Sequence, residues 1–316
     1  MMASAKYIFI LLTAWLFCSG CFRRWVMTDK QVKKYYANKP VKPTFFTIQN
    51  DSASLFCATT GADTLPPLLM IHGAPGAWYG SRILLDDPVL QKKFHLIAVD
   101  RPGYHKSRFR NKRKSVTSIT TQATIIHEAL RLNRSHQPGV VMGSSYGAPI
   151  AAKVALLYPG EFNHLVMLAA AIDPDIEKFW WFHPWVQSGF PYIFFPRFLK
   201  SATDEKFSHA DELRLLAPEW QKLSIPVTVV QGGADDIIEP ANIDYAKKVL
   251  QGKPANFIFL PNAGHLIRMQ RPDVVRSILL NPLPGTPITI GTGKSIYPSP
   301  LKGASKPPPT FILGSS

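Results

Sequence analysis

The 316-residue sequence predicts an α/β protein with a mostly parallel β-sheet flanked by helices and a helical cap insertion. Between residues 44 and 281, short apolar runs alternate with longer stretches of helical character, which is the pattern of a parallel sheet with crossover helices. The alternation stops over residues 172–222, where aromatic residues and prolines are interleaved. We interpret that segment as a helical cap inserted over the sheet.

The candidate strands begin with two runs joined at Asn50-Asp51, a pair typical of a hairpin turn. Ligands of parallel sheets bind at the carboxyl ends of the strands, so the residues after each later run are the candidates for a site. The predicted strands are 44–48, 54–58, 68–71, 95–99, 140–142, 164–169, 226–230 and 257–260. The predicted helices are 82–92, 118–132, 147–157, 241–250 and 266–280.

The N-terminus has the pattern of a targeting segment. Lys6 precedes an apolar run over residues 7–17, and small residues then lead to Cys21, which predicts a signal peptide over residues 1–20. The sequence Cys18-Ser19-Gly20-Cys21 resembles a bacterial lipobox, although Cys18 stands where Leu, Val or Ile is usual. That resemblance implies a lipoprotein of the cell envelope, lipidated at Cys21, and an uncleaved anchor or a secreted protein is the alternative.

Outside the predicted domain at 44–281, the chain has the composition of connecting segments. Residues 21–43 are polar and lysine-rich and read as a tether or linker, and the Pro/Gly/Ser-rich residues 282–316 read as a disordered tail. The net charge of +15 is compatible with anionic partners, but no nucleic-acid-binding motif is present. With Cys57 lacking an obvious partner, the three cysteines do not form a disulfide scaffold.

A candidate nucleophile follows the run at 140–142. Gly143-Ser144-Ser145-Tyr146-Gly147 has the form G-x-S-x-G and opens the predicted helix at 147–157. A sharp strand-to-helix turn exposes the central serine, and glycines two residues before and after it remove steric clashes. The pattern therefore predicts Ser145 as the nucleophile of an acyl-transfer reaction.

The loop after the run at 68–71 is a candidate oxyanion site. His72-Gly73-Ala74-Pro75-Gly76 follows that run, and acyl transfer needs backbone N–H groups aimed at the oxyanion. Because Pro75 has no N–H group, the predicted donors are the backbone N–H groups of Ala74 and Tyr146.

Acid and base candidates follow the last two predicted strands. Asp235 and Asp236 come after the run ending at residue 230, and His265 comes after the run at 257–260. The chain order serine, aspartate, histidine, with each residue at a strand end, is the order expected of α/β hydrolases.

On these segments the chain resembles the α/β-hydrolase superfamily over residues 44–281. The resemblance implies nucleophile Ser145, general base His265 and an acid after the seventh strand. In the usual G-x-x-D-x-x-x-P pattern the acid is Asp236, because Pro240 follows four residues later. Asp235 is the alternative, and Asp173 is the candidate if the acid follows the sixth strand.

The resemblance implies a serine hydrolase, carboxylesterase-like, that cleaves an ester, thioester or amide bond of a small-molecule acyl substrate. A similar His-Gly-Gly-Pro-Gly loop in proline iminopeptidases keeps an aminopeptidase open as an alternative. A catalytically inactive binding lipoprotein is the second alternative. No metal-ligand spacing occurs in the sequence, and no cofactor is expected.

Overall fold

In the computed structural model the described residues are 27–110, 115–178, 192 and 195–281, and within them nine strands form one sheet. The strand order is β1-β2-β4-β3-β6-β7-β8-β9, with β5 paired to β2. The strands are β1 Thr44–Gln49, β2 Ala53–Thr60, β3 Pro67–Ile71, β4 His95–Val99, β5 Arg108–Phe109, β6 Gly139–Ser144, β7 Phe162–Leu168, β8 Val227–Gly232 and β9 Ala255–Leu260.

The α-helices of this part lie on both faces of the sheet. They are α1 Asp29–Tyr36, α2 Arg82–Leu85, α3 Pro88–Gln91, α4 Ile119–His127, α5 Gly147–Leu157, α6 Arg197–Leu216, α7 Asn242–Val249, α8 Ile267–Gln270 and α9 Pro272–Leu280. None of the described helices combines the length and the apolar character that crossing a bilayer requires.

The pairing of the strands confirms the predicted fold class. β1 and β2 form an antiparallel hairpin, in which the Asn50 side chain accepts the N–H groups of Ser52 and Ala53. β2 also pairs antiparallel with β4, whereas the pairs along the order β4-β3-β6-β7-β8-β9 are all parallel. The carboxyl ends of the parallel strands therefore meet at one edge of the sheet, where the predicted site residues lie.

Apolar side chains cover both faces of the central strands. On one face Ile126 of α4, Ile150 of α5 and Leu213 of α6 belong to one buried cluster. On the other face Leu84 of α2 and Ile278 of α9 belong to a second cluster. Burial on both faces explains why the central strands appear in the sequence as continuous apolar runs without polar alternation.

Helix α1 forms within residues 21–43, the segment that the sequence predicts as a tether or linker. A capping box joins the side chains and backbones of Thr28 and Gln31 at the start of this helix. Val32 and Tyr36, one helical turn apart, are buried against the sheet, while the lysines between them face outward. The spacing of the two apolar residues was the available signal, and the high lysine content of the segment obscured it.

Two predicted helices are each divided in two. The helix predicted over 82–92 ends at Leu85, and α3 restarts after Asp87, whose side chain accepts the N–H groups of Val89 and Leu90. The helix predicted over 266–280 is interrupted at Arg271, because Pro272 starts α9. Prolines at N-terminal helix positions set both restarts.

Between β7 and β8 the chain carries α6, a 20-residue helix inside the segment predicted as a cap. Gly103, at φ +92°, lets α6 approach closely, since a Cβ at that position would lie 2.6 Å from Ser201 Oγ. The aromatic residues 179–182, the predicted signal peptide with Cys21 and the tail from residue 282 lie outside the described residues.

Buried His164 on β7 makes stability depend on pH. Its Nε2 lies 2.9 Å from Thr228 Oγ1, and burial lowers the pKa of His164 from about 6.5 to about 4. Because the unfolded chain takes up this proton first, stability falls as the pH drops from 6.5 towards 4. The loss reaches about 3 kcal/mol, from about 1.4 kcal/mol for each unit of pKa difference.

We expect His164→Gln to remove this part of the pH dependence, because glutamine can bond Thr228 without titrating. Urea unfolding at pH 7 and pH 5 measures the effect, and the exposed-histidine variant His136→Asn is the matched control. An unchanged difference between the two pH values in His164→Gln would contradict the assignment.

Candidate active site

Ser145 stands at a sharp turn between β6 and α5. Its φ of +54° lies in the left-handed region, which few non-glycine residues adopt outside strained functional turns. A Cβ at position 143 would lie 2.1 Å from the Gly147 carbonyl oxygen, and one at position 147 would lie 2.6 Å from the His72 carbonyl oxygen. Both flanking positions therefore require glycine, and the serine is held at the carboxyl edge of the sheet with 7% of its surface exposed.

His265 follows β9 and lies against an aspartate that follows β8. Its Nδ1 is 2.9 Å from Oδ2 of Asp235, whose side chain is fully buried. The other carboxylate oxygen of Asp235 accepts the N–H groups of Ile237 and Ile238, at 3.0 and 2.9 Å. The carboxylate is thus fixed by its own loop, and the histidine Nε2 remains available for proton transfer.

The structure brings Asp235, the alternative acid, to His265, and it does not bring the predicted Asp236 there. Asp236 is exposed and only its backbone oxygen is engaged, by Lys178, while Asp173 receives no hydrogen bond from His265. The predicted G-x-x-D pattern starts at Gly233, but β8 ends at Gly232, and the same pattern started there gives Asp235. The proline four residues later favours Asp236 in the sequence, whereas burial distinguishes Asp235 in the structure.

The His265 segment contacts the serine turn through Arg268. The Arg268 Nη1 donates to Ser144 Oγ at 2.8 Å, so α8 is tied to the residue before Ser145. Ser145 Oγ itself has no hydrogen bond to His265 or to any other described residue. Serine–histidine contacts in unliganded sites are often long and tighten when substrate binds.

The loop 72–76 packs directly on Ser145. A Cβ at Gly73 would lie 2.8 Å from the Ser145 Cβ, so the loop can approach this closely only with glycine there. Neither the Ala74 N–H nor the Tyr146 N–H donates a hydrogen bond within the described residues. Two unengaged donors beside the serine are what an oxyanion site requires.

His72 fixes the shape of this loop as a neutral side chain. Its Nε2 accepts the Arg101 N–H at 2.9 Å, so its Nδ1 carries the hydrogen and donates to the Gly73 carbonyl at 2.7 Å. Burial and the nearby charge of Arg101 hold the pKa of His72 well below its usual value.

A buried ion pair joins the loop to helix α6. Arg101 bonds both carboxylate oxygens of Glu205, at 2.7 and 3.0 Å, and also donates to the Gly73 carbonyl at 3.0 Å. Tyr104 and Gln122 donate to the same carboxylate, at 2.5 and 2.9 Å, and both ion-pair side chains are fully buried. Burial opposes the charge on Arg101, but Glu205 outweighs it and raises the pKa of the guanidinium.

Helix α6 places a second polar side chain over the serine turn. The His209 ring lies against the Tyr146 ring with centroids 4.4 Å apart, and its Nδ1 contacts Glu177 at 2.5 Å. Burial raises the pKa of Glu177, but His209 and Lys206 outweigh it and lower that pKa to about 2. Sequence reasoning missed Glu205 and His209, although their i, i+4 spacing on a predicted helix could have marked them.

Among the described residues, no group of three or more His, Cys, Asp and Glu side chains could hold a metal ion. The family model of the α/β hydrolase fold matches residues 66–211, from the loop before β3 into α6. The chain is therefore similar to this family over those residues and has the α/β-hydrolase fold.

Individual relatives are distant. The chain is 24% identical over 248 residues to the dihydrolipoyllysine-residue acetyltransferase component of an acetoin-cleaving system of Pseudomonas putida, covering 70% of this chain but only 64% of that protein. It is 23% identical over 263 residues to a monoacylglycerol lipase of Homo sapiens, covering 68% and 74%. A membrane phospholipase A, described as a bacterial virulence factor, shares the fold with a TM-score of 0.58 at 18% identity over 84% of this chain and 94% of that one.

The buried ion pair predicts a large stability effect. We expect Glu205→Leu to destabilise the fold by about 3–5 kcal/mol, because it leaves the Arg101 charge buried without a partner. The double variant Arg101→Met with Glu205→Leu should recover much of that loss. A double-mutant cycle of urea unfolding measures the coupling energy between Arg101 and Glu205. If each single variant lost less than about 1 kcal/mol of unfolding free energy, which is the range of exposed ion pairs, the prediction would be contradicted.

Proposed function

We propose that this protein is a serine hydrolase that cleaves an ester or related acyl bond through an acyl-enzyme on Ser145. The His265–Asp235 hydrogen bond of 2.9 Å carries the proposal, because it supplies an oriented base at the same sheet edge as the serine turn. Serine at position 145 favours acyl transfer over chemistry that uses a carboxylate nucleophile. Lipase relatives support an ester as the substrate class.

The chemistry follows from the positions of the groups. His265 Nε2 removes the proton from Ser145 Oγ as the oxygen attacks the acyl carbonyl, and Asp235 holds the Nδ1–H tautomer and stabilises the imidazolium. The N–H groups of Ala74 and Tyr146 receive the charge that develops on the carbonyl oxygen. His265 then protonates the leaving group and activates the water that hydrolyses the acyl-enzyme.

The place of action is a further part of the proposal. The signal-like residues 1–20 and the lipobox-like cysteine at position 21 support attachment of the protein to a membrane of the cell envelope. Metabolic labelling with a palmitate analogue, compared between the natural chain and Cys21→Ala, tests lipidation. Equal labelling of the two chains would contradict attachment at Cys21.

We expect Ser145→Ala to lower kcat for p-nitrophenyl esters by roughly 10⁴-fold or more, since it removes the nucleophile. A panel of p-nitrophenyl esters beside aminoacyl-naphthylamides measures this and also tests the aminopeptidase alternative. Undiminished esterase activity in Ser145→Ala would overturn the proposal. A wild-type protein inactive on every substrate of the panel would favour the inactive binding protein.

The acid is tested by two neighbouring substitutions. We expect Asp235→Asn to lower kcat by about 10⁴-fold, because asparagine cannot fix the histidine tautomer or stabilise the imidazolium. The matched control Asp236→Asn should leave kcat close to that of the natural chain, because Asp236 is exposed and does not contact His265. The reverse ranking of the two variants would show that Asp236 is the acid.

A further inference from the structure

Two arginines beside the serine turn have no acidic partner. Arg268 of α8 and Arg82 at the start of α2 form no ion pair with any carboxylate of the described residues. Burial and the nearby charge of Arg82 lower the pKa of Arg268 to about 10. Most partly buried charges in proteins are paired, so two adjacent unpaired guanidinium groups point to a charge that the chain itself does not supply.

Each guanidinium is held by one nitrogen and leaves another unused. Arg268 Nη1 donates to Ser144 Oγ at 2.8 Å, and Arg82 Nη1 donates to the Tyr79 carbonyl at 3.1 Å. Both Nε atoms are buried without a hydrogen-bond partner in the described part of the chain. The Nη2 atoms also have no hydrogen-bond partner there, and they are not completely buried.

The absence of a side chain at Gly80 makes room for the Arg268 guanidinium. A Cβ at this position would lie 2.7 Å from Arg268 Nη2 and 3.4 Å from Cζ, so any other residue would occupy the space beside the guanidinium. Gly80 adjoins Tyr79, whose carbonyl holds Arg82. The two guanidinium groups therefore contact neighbouring residues of the short helix from Trp78 to Ser81, which brings them close to each other.

We propose that Arg82 and Arg268 form an anion-binding site for a phosphate or carboxylate group, next to the serine turn. Two neighbouring guanidinium groups whose Nη2 atoms lack a partner among the described residues suit oxyanions, whose oxygens accept from planar N–H forks. The anion is either free in solution or the charged group of an ester substrate. Binding to the free anion does not depend on the proposed hydrolase activity.

The full-length protein is tested first by thermal unfolding with inorganic phosphate at constant ionic strength. The natural chain should show a saturable rise in Tm with phosphate, because a ligand that binds the folded state stabilises it by mass action. Arg82→Gln and Arg268→Gln should lose the rise, and the exposed Arg214→Gln is the matched control that keeps it.

The variant Gly80→Ala distinguishes phosphate binding at this site from general screening of the positive charge by phosphate. This variant retains both arginines but places a methyl group against Arg268 Nη2, so it should also lose the phosphate-dependent rise in Tm. If the rise is the same in the natural chain and in all three site variants, phosphate acts only by screening the chain's excess of positive charge, and the proposal is overturned. Absence of any rise in the natural chain overturns it for the free anion.

The source of the anion is decided with two esters. If the anion is part of the substrate, Arg82→Gln should raise KM about tenfold or more for mono-p-nitrophenyl succinate but not for p-nitrophenyl acetate, as expected for loss of one charge-assisted contact. Arg82 is used here because it does not touch Ser144. If the natural chain hydrolyses neither ester, the hydrolase proposal fails, while the result with phosphate stands independently.

Discussion

The site depends on the ion pair between Arg101 and Glu205. It is fully buried, and its acidic partner lies 104 residues further along the chain, so it joins the edge of the sheet to helix α6. The same guanidinium holds the Gly73 carbonyl, and Gly73 packs on Ser145. A buried pair of this kind adds little net stability over an apolar contact, but it is costly to break, and its directional bonds fix one arrangement of loop and helix. The oxyanion loop, the serine turn and α6 are thus positioned by one group.

The backbone geometry of the serine turn results from how closely the neighbouring backbone segments approach it. Glycine is required at positions 143 and 147 because backbone oxygens occupy the space that side chains would need, and at 73 because the loop lies on Ser145. The positive φ of Ser145 is the strain that results, and the surrounding contacts hold it. His265 is positioned separately, through Asp235 on one side and through the Arg268–Ser144 contact of the following helix on the other.

The fold was predictable because each central strand is apolar throughout and each is followed by a helix or a loop with a recognisable motif. Ser145 and the loop around Ala74 are predicted from local patterns that depend on backbone geometry, and His265 is predicted from its place after the last strand. The sequence favours Asp236 over Asp235 because only Asp236 is followed by a proline four residues later, whereas in the structure Asp235 is buried against His265 and Asp236 is exposed. Glu205, His209 and Arg268 were not assigned roles because their partners come from distant segments. The i, i+4 spacing of Glu205 and His209 indicates a shared helix face but does not indicate those partners.

The central claim is that Ser145 is the nucleophile of an acyl-enzyme. The most direct measurement is peptide mass spectrometry of the full-length protein after reaction with a fluorophosphonate, which forms a stable adduct with an activated serine. The account predicts one adduct per chain, located on Ser145 rather than on the neighbouring Ser144, and a much slower reaction in Asp235→Asn. An adduct on another residue, or no adduct in a protein that hydrolyses esters, would contradict it.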